Sequence, residues 1–250
     1  MELGINYAGK IVTTDGYYVL KQGHKYSMPS GLSQLLTTRL LNGFRSKIEA
    51  IRFFATLNRI ESGKIQDISF QNWIDQNIRN SDLKDLVKMV AHITTFADDV
   101  EIQSAGSTLS QLQIAYAGGA MYIDRGWQTL VNELSSAAVG AKVKILAGKS
   151  VSSIEHKNTT GNNNTSSSWI VHLSDGSIIR SHVLIVTADP KEVYEMLRHT
   201  NIISTHFLSK IAKKAKPVRV ATLDIALNNH PNPNVYGAYG LDEPLYLSTH

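Results

Sequence analysis

The period of apolar and polar positions changes twice along the chain, and each change marks a change of element type. Residues 3–28 carry strand signals. Lys10–Thr14 (KIVTT) and Tyr17–Leu20 (YYVL) flank Asp15-Gly16, which predicts a hairpin because Asp-Gly supplies the positive φ of a tight turn. A third short strand is expected at His24–Met28. Pro29 ends this pattern, and Ser30 or Ser33 is placed to cap a helix.

From Leu32 to about Ala117 the period is helical. Leu32, Leu35, Leu36, Leu40 and Leu41 share one stripe, broken at Asn42-Gly43, and Ile48, Ile51, Phe54, Ala55 and Leu57 continue it on a second helix. Ser69 before FQNWIDQNI and Ser81 before LKDLVKMVAHITTF read as helix N-caps, and Ser107 or Thr108 as the start of a further helix through Tyr116.

Beyond Gly118 the strands return. Trp127, Leu130, Val131 and Leu134 give one face of a helix. Val143–Leu146 and Val151–Ile154 are apolar strand candidates separated by Ala147-Gly148. Asn158–Ser168 (NTTGNNNTSSS) has no apolar residue and reads as a solvent loop, its Asn158, Asn163 and Asn164 sequons included. Trp169–Leu173 and Ser177–Arg180 flank Ser174-Asp175-Gly176 as a hairpin. Val183–Val186 (VLIV) has the unbroken apolar run of a strand buried on both faces of a parallel sheet. Pro190 suits the first turn of a helix through Arg198. Val218–Leu227 alternates as a long strand, Pro231 and Pro233 punctuate a loop, and Leu245–Leu247 is a last strand-like piece.

Composition narrows the function classes. The chain has 250 residues, a hydrophobic share of 42% and a mean hydropathy of -0.13, enough for a sizeable globular core. Its formal charge of +4 is spread out except at Lys210–Lys216 (KIAKKAK), and aromatics do not interleave with the basic residues as a nucleic-acid platform needs. The lysine run suits a solvated helix end, or contact with an acidic membrane surface. Cysteine is absent, so thiolate metal sites and cysteine nucleophiles are excluded. No apolar run reaches the ~18 residues of a membrane span, and MELGINYAG lacks the form of a signal peptide.

No catalytic constellation stands out, and no catalytic residue is assigned. The nine histidines, among them His92, His156, His172 and His230, are dispersed without H-x-x-x-H spacing, so no metal site is expected. G-x-S-x-G is missing. Asp98, Asp99 and Glu101 read as a solvated loop. Neither G-x-G-x-x-G nor G-x-x-x-x-G-K-[ST] occurs; Gly118-Gly119 and Gly126 are turn residues between helical and strand regions.

Order and spacing together carry a resemblance. Gly118-Gly119, the helix Gly126–Leu134, Val143–Leu146, Val151–Ile154, the hairpin Trp169–Arg180 and the strand Val183–Pro190, with Leu3-Gly4-Ile5 far upstream, resemble the middle of FAD-dependent oxidoreductases of the phytoene desaturase, protoporphyrinogen oxidase and amine oxidase superfamily. The resemblance implies an α+β or α/β chain in which a helical-plus-sheet substrate domain joins a partial, Rossmann-like FAD-binding domain. Its implied divisions are 1–117 (substrate domain), 118–200 (partial FAD domain) and 201–250 (return to the substrate-domain sheet). The family's Gly-rich pyrophosphate turn has no counterpart here, so the chain reads as a central fragment that by itself binds FAD weakly or not at all.

By the same resemblance, the backbone of Val151 would meet the adenine of FAD, and Thr187 and Ala188 would form a strand end close to the cofactor. Asp189 departs from the family's small-apolar-Pro pattern. The implied activity is hydride transfer from a small apolar or amine substrate to flavin, in a cytoplasmic protein with peripheral membrane contact and no nucleic-acid partner. The architecture also resembles the Rab GDP-dissociation inhibitors, which would make the chain a non-catalytic carrier for prenylated or isoprenoid ligands.

Overall fold

The computed structural model describes residues 3–12, 15–161, 164–200, 202–229, 232 and 234–249. Thr13, Thr14, Asn163, His230, Pro231 and Pro233, on which parts of the expected hairpin, sequons and loop fall, lie outside the described residues. The fold is α+β. Two compact units divide the chain: one is Ile5–Asn132 with Val218–His250, the other Met1–Gly4 with Glu133–Pro217.

The first strands are β1 (Gly9–Ile11), β2 (Tyr17–Lys21) and β3 (His24–Ser27). Among the described residues the expected Asp15-Gly16 hairpin is not formed: β1 and β2 lie in different sheets. β2 turns back on β3 through Gln22 (φ 51) and Gly23 (φ 74), with Lys21 opposite His24. Two consecutive positive φ values make the loop whose twist matches its strands. Gln22 takes the position where Asn or Asp would have signalled it. Its N–H is held by the Asp242 carboxylate at 2.5 Å.

The helical block comprises α1 (Leu32–Thr37), α2 (Gly43–Thr56), α3 (Phe70–Asn77), α4 (Ser81–Thr95) and α5 (Ala105–Gly118), with 3-10 turns at Leu57–Arg59 and Ser62–Ile65. Ser69 caps α3 by accepting the Asn72 N–H. The other expected caps move. Neither Ser30 nor Ser33 caps α1, whose N-cap is Gly31; instead the Gln34 side chain reaches back to the Ser30 N–H at 2.8 Å. Asn80, one residue before Ser81, caps α4, and Ser104 caps α5, three residues before Ser107. In each case the side-chain oxygen sits three residues ahead of the orphan N–H that it accepts.

Leu83, Leu86, Val87 and Ala91 of α4 recur at three- and four-residue spacing and are buried against Phe70, Trp73 and Ile74 of α3 and Leu109 and Leu112 of α5. Phe70 and Trp73 stack with centroids 6.3 Å apart. Gln113 of α5 donates to the carbonyls of Leu57 (2.9 Å) and Ile60 (2.8 Å), satisfying the frayed end of α2. At Gly106 of α5 a Cβ would run into the Ser62 carbonyl and the Gln66 side chain, so only glycine lets α5 pack this closely.

After α5 come β4 (Met121–Ile123), α6 (Gln128–Gly140), β5 (Val151–Gly161), β6 (Asn164–Leu173), β7 (Ile178–Ser181), α7 (Pro190–Leu197), α8 (Thr205–Lys214), β8 (Gly237–Gly240) and β9 (Tyr246–Ser248). β4 pairs with β1, antiparallel. In the same unit β3-β2-β8-β9 form a sheet in which β2 and β8 run parallel and the other neighbours antiparallel. In the second unit β5, β6 and β7 form an antiparallel sheet. α7 and α8 close a small core of Ile154, Leu197 and Leu208.

Four expectations are corrected in this part of the chain. Asn158–Gly161 and Asn164–Ser168 lie within the β5–β6 ribbon, with Asn158 opposite Ser167 and Thr160 opposite Thr165. Backbone pairing builds that ladder, and it does not require apolar side chains. Val143–Leu146, Val183–Val186 and Val218–Leu227 form no strand. Leu184 and Val186 pack on the small core, but Val183 and Ile185 are 72% and 82% exposed, the reverse of a strand buried on both faces. Apolar composition marks these segments as able to extend, and a strand also needs a neighbour for its N–H and C=O groups. The apolar stripe of α6 is likewise exposed at Trp127, Val131 and Leu134.

Candidate functional site

The unit of Ile5–Asn132 with Val218–His250 holds an apolar cavity of about 530 Å³ within its helical block, a volume in the range of small-molecule sites. Helical spacing explains its walls. Leu32 and Leu35 come from one side of α1, Leu86 and Val90 from one side of α4, and Leu112, Ala115 and Tyr116 from α5. Phe54 of α2 stacks on Tyr116 with centroids 6.3 Å apart, giving an aromatic wall. Among the described residues, no Asp, Glu, Lys, Arg or His lines this cavity. Its wall therefore suits an apolar guest, with Tyr116 and Ser30 as the hydroxyl-bearing residues of the lining.

A second feature of the same unit is a tyrosine cluster. β2 and β8 pair with Tyr17 opposite Gly237, and β8 and β9 with Tyr239 opposite Tyr246. Because alternate residues share a face, the rings of Tyr17, Tyr239 and Tyr246 stack with centroids 5.6 and 5.1 Å apart. Gly237 leaves the space that Tyr17 fills: a Cβ there would lie 2.5 Å from the Tyr17 ring. The Tyr122 hydroxyl of β4 shares a 3.4 Å hydrogen bond with that of Tyr17 and also meets Tyr246. Burial raises the phenol pKa of Tyr239, Tyr246 and Tyr122, reinforced by their neighbouring phenols. These side chains are neutral hydrogen-bonding groups at physiological pH and do not serve as bases.

The unit containing Glu133–Pro217 has a wide cleft of about 1,050 Å³ between the start of β5 and α7. Val151, half exposed as the first residue of β5, lines it, together with Ser152, Lys191, Glu195 and Arg198. Glu195 and Arg198 form an ion pair at 3.1 Å. Thr187, exposed, and Ala188, half-buried, precede α7 and are not among the residues lining the cleft. Asp189, which departs from the resembled pattern, is the N-cap of α7: its carboxylate accepts the Lys191 N–H at 2.9 Å ahead of Pro190 at the first helical position.

No glycine-rich turn at a helix N-terminus accompanies the cleft among the described residues. Among the described residues, no group of three or more His, Cys, Asp or Glu is placed to hold a metal ion, and no helix is long and apolar enough to cross a membrane.

No protein-family model matches the chain, and no curated protein matches it in sequence. Its fold is similar to that of the PF1083 protein from Pyrococcus furiosus, a structural-genomics crystal structure, with a TM-score of 0.58 over 86% of this chain at 16% identity. At that identity the likeness is one of fold. This chain covers 47% of the neighbour, and so spans about half its length.

Sequence reasoning missed both features of the first unit. The cavity had a signal in the i, i+4 pairs Leu86/Val90 and Leu112/Tyr116, which are indistinguishable from core pairs until helix packing leaves a gap between them. The tyrosines had a weaker one in Tyr236-Gly-Ala-Tyr239-Gly, a small-residue run that lets rings from neighbouring strands meet.

Proposed function

We propose that this chain is the central part of an FAD-dependent oxidoreductase, phytoene dehydrogenase-like, whose substrate is apolar. The observation that carries the reading is the uncharged cavity among α1, α2, α4 and α5. A guest there loses water and gains contact with Leu, Val and aromatic side chains, whereas an ammonium group would meet no carboxylate. That favours an apolar substrate over an amine. The cleft at Val151 supports the cofactor half of the proposal. Hydride acceptance is the chemistry that FAD supplies when bound. The residues of this chain bind and orient the substrate and keep water from it.

The absence of charged side chains from the cavity wall also favours a second reading, a non-catalytic carrier for prenylated or isoprenoid ligands, since a carrier needs the same wall and no redox partner.

A fluorescent polyene titrated into the full chain tests what the two readings share. Saturable binding is expected, weakened at least tenfold by Ala115→Trp, whose indole fills the cavity; undiminished binding would refute the site. Reconstitution of the longest product of the reading frame with FAD separates them. The oxidoreductase reading expects bound flavin absorbance and a G-x-G-x-x-G motif upstream of Met1, and the carrier reading expects neither.

A further inference from the structure

We infer that α8 is a peripheral docking surface for anionic lipid. Leu208, 3% exposed, fixes the inner face of this helix in the core formed with Ile154 and Leu197. Phe207 (55% exposed) and Ile211 (38%) sit one turn apart along the flank of the helix beside Leu208 and are open to solvent. Ile202, just before the helix, is exposed as well. Between and beyond them Lys210, Lys213 and Lys216 are exposed. Among the described residues none of the three has an ion-pair partner. From Met196 to Pro217 the sequence contains Arg198, Lys210, Lys213, Lys214 and Lys216 and no Asp or Glu. Arg198 is neutralised by Glu195, so the excess cation lies at the C-terminal half of α8 and just past it.

Charge complementarity names the partner as an anionic surface, and the exposed apolar pair distinguishes its kind. Phosphate on a nucleic acid would use the lysines and leave Phe207 and Ile211 in water. A lipid surface takes both: aromatic and aliphatic groups enter the headgroup boundary while lysines on the same helix meet anionic headgroups. α8 is too short to insert across a bilayer, and its Leu208 anchor keeps it lying on the surface. This surface is independent of the flavin reading.

The test is co-sedimentation of the full chain with phosphatidylcholine vesicles with and without phosphatidylserine. Binding is expected only with the anionic lipid and should weaken as salt rises. Lys210→Ala with Lys213→Ala should lower affinity by roughly 20- to 30-fold, about fivefold per lysine, and Lys210→Arg with Lys213→Arg should restore it. Phe207→Ser should lower affinity roughly tenfold while leaving the salt dependence unchanged. Equal binding to neutral vesicles, or indifference to the lysine substitutions, overturns the proposal. So does tighter binding to duplex DNA that needs the lysines but not Phe207, or self-association that Phe207→Ser abolishes in the absence of vesicle binding.

Discussion

Asp82 joins three elements, of which α2 and α4 line the apolar cavity, and removing it should loosen them together. Its carboxylate accepts the Lys21 ammonium from β2 at 3.1 Å. It also accepts the backbone N–H and the side-chain amide of Asn42, the N-cap residue of α2, each at 2.9 Å. Asp82 itself lies in the first turn of α4, where a negative charge is favoured. Burial would raise its pKa, but the hydrogen bonds from Asn42 and the Lys21 partner outweigh that and hold it below the usual carboxylate range.

Hydrogen bonds to a charged group contribute ~1.5–3 kcal/mol each before overlap, and the partly buried ion pair with Lys21 adds up to ~1 kcal/mol. Because the two Asn42 bonds share one oxygen, their contributions overlap, and Asp82→Ala should cost about 3 kcal/mol at pH 7. A depressed folded-state pKa stabilises the protein above the unfolded value of about 3.9, and that contribution is lost as pH falls through the folded value. Urea unfolding of the wild type and of Asp82→Ala, followed by circular dichroism at pH 7 and in steps toward pH 2, should therefore show a difference that shrinks on acidification. A difference that is the same at both ends, or below about 0.5 kcal/mol at pH 7, would refute the bracing role.

Two further outcomes concern the tyrosine cluster. Gly237→Ala places a methyl 2.5 Å from Tyr17 Cε1 and 2.6 Å from the Leu247 carbonyl; a loss of ~1–3 kcal/mol is expected in the denaturation midpoint, and an unchanged midpoint would mean that the ring moves freely. Tyr239 is raised by burial first and by neighbouring tyrosines second, so its neutral form is favoured in the folded state and stability should fall as pH rises above about 10. Tyr239→Phe should remove part of that alkaline destabilisation in pH-dependent melting, and an identical profile would contradict it.

The helical block was legible in outline because its cause is local. Apolar spacing of three and four residues along α4, and caps that bind backbone three residues on, act within one or two turns. The errors there were small: Asn80 for Ser81, and Ser104 for Ser107, neighbouring residues equally able to cap. The α+β class was legible for the same reason, and so was the helix at Pro190.

Strand pairing was legible where it is local, as in the Trp169–Leu173 and Ser177–Arg180 hairpin that forms β6 and β7, and not where it joins residues far apart in sequence. YYVL was an evident strand, but its partners at β3 and β8 depended on Gln22-Gly23 turning and on Gly237 admitting the Tyr17 ring. VLIV of Val183–Val186 had the composition of a buried strand and found no neighbour to hydrogen-bond. Val151, Thr187 and Ala188 came from a resemblance, and of these the cleft takes in Val151 alone.

The sequence by itself determined where helices run, which residues cap them within a few positions, and that no charged catalytic cluster is written into any local motif. Tertiary structure decided which apolar residues bury and which line a space. Leu86 and Leu112 have the same hydrophobicity as any core leucine, and they line a cavity only because the packing of α1, α2, α4 and α5 leaves a space beside Phe54 and Tyr116. Hydrophobicity is a property of the residue, whereas a void is a property of the packing around it.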